Sequence, residues 1–167
     1  MRAFDCRFTP RVDLPEDFVW PRGAVDLEIG CGKGLHAISY ARENPERHLI
    51  AVERTREKFA GFCSRLVSHR EKGIALANLS PLCGDAIPFL VHHFSEEEIF
   101  SRVFILYPNP YPKPSQANKR FHNAPAMSLI QSSLQTGGEL TLATNEVWYA
   151  DEARKRLCQD WKFTLHR

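Results

Sequence analysis

The stretch Asp26-Leu27-Glu28-Ile29-Gly30-Cys31-Gly32-Lys33-Gly34 constrains the fold more than any other part of the chain. The apolar run Ala24–Ile29 reads as a buried strand, and it ends on three glycines spaced by single residues. The helical pattern Leu35–Glu43 follows, stopped by Asn44-Pro45. A strand, a glycine turn and a helix are the opening of a βαβ unit.

The same alternation continues down the chain. Residues 49–53 are expected as a second strand, with Thr55 as the N-cap of a helix carrying Phe59, Phe62, Cys63, Leu66 and Val67 at helical spacing and ending at Gly73. Leu79–Cys83 reads as a third strand, Ala86–His93 as a helix, and residues 103–107 as a fourth strand entering a proline-rich loop at 108–114. Pro125 suits the first turn of a helix expected to end at Gly137-Gly138. Residues 140–144, 148–158 and 162–165 then read as a strand, a helix and a sixth strand. Strands separated by helices imply right-handed crossovers and a mainly parallel sheet with helices on both faces, an α/β fold. Ligands of such sheets lie beyond the carboxyl ends of the strands. That puts Gly30–Gly34, Glu53-Arg54, Gly84–Ala86, 107–113 and 144–146 on one rim.

At 167 residues the chain (1–167) is read as a single domain able to bury a full core. With 43% hydrophobic and 25% charged residues, its composition is that of a soluble globular protein, and its apolar runs are too short to span a bilayer. No secretory leader is read at the start. Five scattered cysteines without a Cys-x-x-Cys pair argue against a disulfide framework or a zinc site, so a cytoplasmic location is expected. A net charge of +2 does not announce a nucleic-acid binder, so any basic footprint must be local. Clusters at Arg54/Arg56/Lys58, Arg65/Arg70/Lys72, Lys113/Lys119/Arg120 and Arg154/Lys155/Arg156 are the candidates, although such clusters are commonly solvated helix faces.

Three ligands compete for the glycine turn. A P-loop needs Ser or Thr after its lysine, and Lys33 is followed by Gly34. A nicotinamide fingerprint needs glycine where Leu35 stands. S-adenosylmethionine has no pyrophosphate; its amino-acid tail needs bare backbone, supplied by Gly30, Gly32 and Gly34, and its sulfonium favours a nearby carboxylate, Glu28. Glu53, at the end of the second strand, is placed to accept from both ribose hydroxyls, with Arg54 beside it. Asp85, followed by Ala86, is placed to reach the adenine amine. Each acid taken alone is more often an N-cap or a turn residue. Their recurrence at three successive strand ends favours an S-adenosyl-L-methionine site.

With these residues in place, the chain from Val25 to Arg156 resembles the bacterial tRNA (guanine-N7)-methyltransferases, class I enzymes with a Rossmann-like fold. The specific part is Leu106-Tyr107-Pro108-Asn109-Pro110-Tyr111-Pro112-Lys113, which is similar to that family's Phe-Pro-Asp-Pro-Trp-Pro-Lys segment. Lys119-Arg120 and the stretch Gly138-Glu139-Leu140, Ala143-Thr144-Asn145 and Tyr149-Ala150 match its later blocks. The resemblance implies that Glu28, Glu53 and Asp85 are cofactor acids, that Asn109 stands at the catalytic position, and that Tyr111, Lys113, Lys119, Arg120, Thr144 and Asn145 meet the RNA substrate. It also implies a departure. Asn109 and Asn145 replace family aspartates, Val147 replaces a glutamate and Tyr111 a tryptophan.

Guanine N7 carries a lone pair and no proton, so methyl transfer to it needs no general base. Carboxylates there accept from N1–H and the exocyclic amine and offset the cationic product. An amide still accepts but also donates and carries no charge. Three functions remain open: a divergent tRNA guanine-N7 methyltransferase of reduced rate; a methyltransferase with another acceptor, since Asn109-Pro110-Tyr111 is one proline short of an Asn-Pro-Pro-Tyr amino-methylating loop; and a non-catalytic S-adenosylmethionine- or RNA-binding module. Lys113, Lys119 and Arg120 are expected at phosphates, and Tyr111 and Trp148 against a base. His92-His93 closes a helix and has no metal partner in the sequence, and Cys31 is not read as a nucleophile. Class I methyltransferases place an antiparallel strand beside the fifth. Little sequence remains for one here, so the expectation is either a sheet edge covered by residues 161–165 or by a second copy in a homodimer, or a chain cut short at this end.

Overall fold

The computed structural model describes residues 4–94 and 98–166. Its elements are β1 (Ala24–Ile29), α1 (Leu35–Glu43), β2 (Arg47–Glu53), α2 (Arg56–Glu71), β3 (Leu79–Cys83), α3 (Ala86–His93), β4 (Phe100–Leu106), α4 (Met127–Ser133), β5 (Leu134–Ala143) and α5 (Val147–Gln159). The five strands form one sheet in the order β3-β2-β1-β4-β5, and every pairing is parallel. Registers such as Ile29 opposite Val52 and Ile105, and Glu53 opposite Cys83, bring the strand ends to a common rim.

Side-chain alternation along β1 divides the core. Val25, Leu27 and Ile29 pack with Phe89 and Leu90 of α3 and Met127 and Ile130 of α4. The other face holds Ala37, Ile38 and Ala41 of α1, Phe62 of α2, and Phe104. Asp26 and Glu28 do not follow the apolar pattern, and both are buried. Asp26 survives there because it is fully paired: Arg47 Nε donates to it at 2.6 Å and the Tyr40 hydroxyl at 2.6 Å. A buried carboxylate left without such partners costs several kcal/mol, on the order of 3–5.

Two expected features are corrected. The helix after Pro125 does not run to Gly137-Gly138; α4 stops at Ser133 and the chain passes directly into β5. The pairing with β4 jumps from Phe100–Leu134 to Arg102–Glu139, so the glycines sit in a bulge. Gly137 has φ +80°, and a Cβ on Gly138 would lie 2.8 Å from the Gln135 carbonyl oxygen, so this pair shapes a strand rather than ending a helix. Residues 162–165 form no strand. Instead Trp161 is buried and donates through Nε1 to the His122 carbonyl at 3.0 Å, which turns the tail onto the helix layer rather than along the sheet. Among the described residues, no strand pairs with the outer edge of β5. No helix among them is long and apolar enough to cross a membrane.

Candidate functional site

A cleft of about 430 Å³ opens on the rim. One wall is Gly30, Glu53, Arg54, Thr55 and Lys58, with Gly84, Asp85 and Ala86 beside it at the end of β3; the other, beyond β1, is Tyr107, Pro108, Asn109, Tyr111 and Lys119. The end of β2 organises the first wall. Glu53 Oε2 accepts from the Gly32 N–H at 2.9 Å, and Oε1 accepts from the Thr55 N–H at 2.6 Å. Thr55 is thus the N-cap of α2 by position, but its side chain makes no capping bond. Burial by itself raises the Glu53 pKa; the hydrogen bonds from Thr55 and Gly32 and the charge of Lys58 outweigh it, and the net direction is down. Glu53 is therefore ionised at neutral pH, with lone pairs left for a diol.

Asp85 serves two purposes at once. Its Oδ1 accepts from the Ile87 N–H at 3.0 Å, capping α3, while Oδ2 stays 3.9 Å from Arg54 and half-exposed on the cleft. Gly30 has φ +78° and borders the cleft, whereas Gly34 turns inward against Phe62. Glu28 lies elsewhere. It is 2% exposed, is not part of the cleft wall, and meets His36 Nδ1 at 3.0 Å on the α1 face. Only Glu53 and Asp85 of the three expected acids border the same hollow. Cys31 is buried, and burial, with Glu28 and Glu53 adding to it, pushes its thiol pKa well up, so it stays protonated at neutral pH.

The proline loop forms the opposite wall in a strained conformation. Tyr107 and Tyr111 have φ +50° and +45°, left-handed values that cost a non-glycine residue about 1–3 kcal/mol each. Asn109 Oδ1 accepts from the Tyr111 N–H at 3.2 Å, and Lys119 Nζ lies 5.8 Å from the Tyr111 ring centroid. Lys113 is exposed but outside the cleft wall, as are Asn145 and Val147. Thr144 is half-buried, and its hydroxyl accepts from the Glu146 N–H at 3.1 Å. Trp148, 39% exposed, stacks with Arg120 rather than standing free. Arg120 is not at the surface. It is 8% exposed, with its guanidinium bonded to the Tyr111 carbonyl and to Glu152.

Behind this wall His122 is fully buried, with Nε2 3.3 Å from Glu152 Oε2 and poorly aligned for a hydrogen bond. Burial lowers the His122 pKa, Glu152 opposes that, and Arg120 and Arg156 reinforce it. Burial raises the Glu152 pKa, but the bond from Asn123, the nearby His122 ring and the bond from Arg120 bring it down on balance. His48 is likewise lowered by burial. In every case the folded pKa lies below the unfolded value, so the unfolded chain takes up more protons on acidification. Stability contributed by the histidines is present above about pH 6.5 and is lost as pH falls below it; that of the carboxylates follows at lower pH. The urea midpoint is expected to fall between pH 7.5 and 5.5, and H122Q should flatten part of that fall. A midpoint that stays level across this range would contradict the burial argument.

A methyltransferase family model (Methyltransf_4, "Putative methyltransferase") matches residues 22–166 of the chain. The chain belongs to this family. The tRNA (guanine-N(7)-)-methyltransferases of Escherichia coli K12 and Shigella flexneri are 32% identical to it over 127 residues, covering 76% of this chain and 51% of theirs. The chain thus spans about half the length of the curated relatives it matches. Its fold is similar to a precorrin-6y C5,15-methyltransferase from Geobacter metallireducens GS-15, at TM-score 0.57 and 16% identity, covering 80% of this chain and 61% of that one. The 16S rRNA methyltransferase KamB matches at TM-score 0.53 and 20% identity, covering 72% and 53%. The fold is that of the Rossmann-like class I methyltransferases.

Sequence reasoning named two residues of this family member's cleft only within larger groups. Lys58 was read only as part of the basic cluster Arg54/Arg56/Lys58, and the structure sets it at the cleft in the first turn of α2. Tyr107 was read only within the rim segment 107–113, and it is 70% exposed at the cleft. The pairing of His36 with Glu28 had no signal short of knowing how α1 docks.

Proposed function

We propose that this chain transfers a methyl group from S-adenosyl-L-methionine to guanine N7 of a tRNA, at a rate limited by Asn109. One observation carries the reading: the ionised Glu53, bridging Gly32 and Thr55, and the Asn109–Tyr111 loop face each other across a single cleft. The residues fit the cofactor. Glu53 would accept from its ribose hydroxyls, Asp85 from its adenine amine, and Gly30 would leave room for its amino-acid tail. When bound it supplies an electrophilic methyl group.

The chain's own groups then orient and shield. Tyr111 offers a ring for a base to stack on, and Asn109 an amide oxygen for a base N–H. The exposed Lys58 and Lys119 at the cleft, with Lys113 beyond it, supply positive charge for a phosphate backbone. No proton is removed from N7, so positioning and charge compensation account for the rate.

A second reading, methylation of an exocyclic amine, is favoured by one feature: an amide oxygen and an aromatic ring two residues apart line the same cleft. Methyl transfer to bulk tRNA with labelled cofactor, followed by nucleoside analysis, tests both. Labelled N7-methylguanosine is the expected product; a labelled N-methylated amine would replace the first reading by the second, and cofactor binding without any product would overturn both. Asn109→Asp sharpens the result. A charge-assisted bond in place of a neutral one is worth roughly 1–2 kcal/mol, so N7 methylation should rise about tenfold in N109D. If an amine is the acceptor, the same variant should lower kcat.

A further inference from the structure

Arg120 differs from the other basic residues around the cleft. Arg54, Lys58 and Lys119 are exposed, whereas Arg120 is buried at 8% exposure. Its Nε and Nη2 donate to the Tyr111 carbonyl at 3.2 and 2.9 Å, and its Nη1 donates to Glu152 Oε2 at 2.6 Å. The guanidinium also lies 4.8 Å from the centroid of the Trp148 ring. Glu152 is held in turn, its Oε1 accepting from Asn123 Nδ2 at 2.9 Å. Tyr111 is therefore gripped through both backbone groups, its N–H by Asn109 and its carbonyl by Arg120, at a left-handed φ that a free loop would relax.

We propose that Arg120 is a positioning residue: anchored by Glu152 and Trp148 on α5, it holds the Tyr111 peptide and thereby sets Asn109 against the cleft. A planar fork that reaches one carbonyl with two nitrogens and a carboxylate with the third suits this task, and lysine, a single flexible point charge, does it poorly. The kinetic consequence rests on the methyltransferase reading above; the conformational consequence does not.

The test compares the parent chain with R120K, R120Q and E152Q. Amide hydrogen exchange at Tyr111, whose N–H is bonded to Asn109, is expected to speed up by tenfold or more in each variant, with the cofactor side unchanged. S-adenosylmethionine affinity should stay within about twofold. On tRNA, kcat should fall about tenfold or more, while the slope of log affinity against log salt stays as in the parent. A phosphate contact would behave otherwise: losing it lowers that slope by about one and leaves kcat largely intact. That result, or unchanged exchange in the loop, overturns the proposal. Should R120Q fail to fold, R120K and E152Q carry the same comparison. A parent chain without methyl transfer would defeat the functional reading alone, and the exchange data would still decide what Arg120 does.

Discussion

Gly34→Ala is expected to cost the fold about 3 kcal/mol or more and to lower the thermal midpoint by roughly 6–12 °C. Gly34 has φ +72°, and a Cβ there would fall 2.0 Å from Cδ2 of Phe62. Phe62 is fully buried and packed edge-on against Phe59, so its ring has little room to withdraw. A left-handed alanine adds about 1 kcal/mol to the overpacking. The control is Gly30→Ala. Gly30 has φ +78°, but nothing lies within 4 Å of a Cβ built on it, so only the conformational cost remains. Gly30 borders the cleft, however, and its new methyl would project where the cofactor tail is proposed to lie. Circular dichroism melts and cofactor titrations should therefore separate the two: G34A loses stability, and G30A loses binding with a milder loss of stability. Equal melts for G34A and the parent would mean that α2 does not pack on the glycine turn as described.

Glu53→Ala is expected to weaken S-adenosylmethionine binding at least a hundredfold. Two hydroxyls would lose a charged acceptor, at about 1.5–3 kcal/mol per bond, where 1.4 kcal/mol is tenfold in affinity. The loss is compounded within the chain, because the N–H groups of Gly32 and Thr55 would both lose their acceptor. Glu53→Gln should fall between the two, since its carbonyl oxygen replaces one acceptor while its amide nitrogen faces a second N–H donor. Calorimetry on the folded variants decides it: E53A binding within threefold of the parent would remove Glu53 from the site.

The strand–turn–helix opening was legible because its causes are local. Glycines at positive φ, an apolar run and helical spacing act over a few residues, and Ala24–Ile29, Leu35–Glu43, Leu79–Cys83 and Ala86–His93 stand where pattern placed them. Gly137-Gly138 was misread for a related reason. A glycine pair ends a helix or kinks a strand equally well, and only the partner strand β4 selects the bulge.

The sequence by itself determined the family, the parallel order of strands and helices, and the rim on which acids and prolines gather. Those follow from backbone preferences and burial that each segment carries alone. Tertiary structure alone decided which polar side chains face the hollow. Glu28 turns to His36 on α1, while Arg120 turns to Glu152, 32 residues away on α5, rather than to solvent. A charged group goes where its desolvation is compensated, and the compensating partner is set by how helices dock, which no local pattern records.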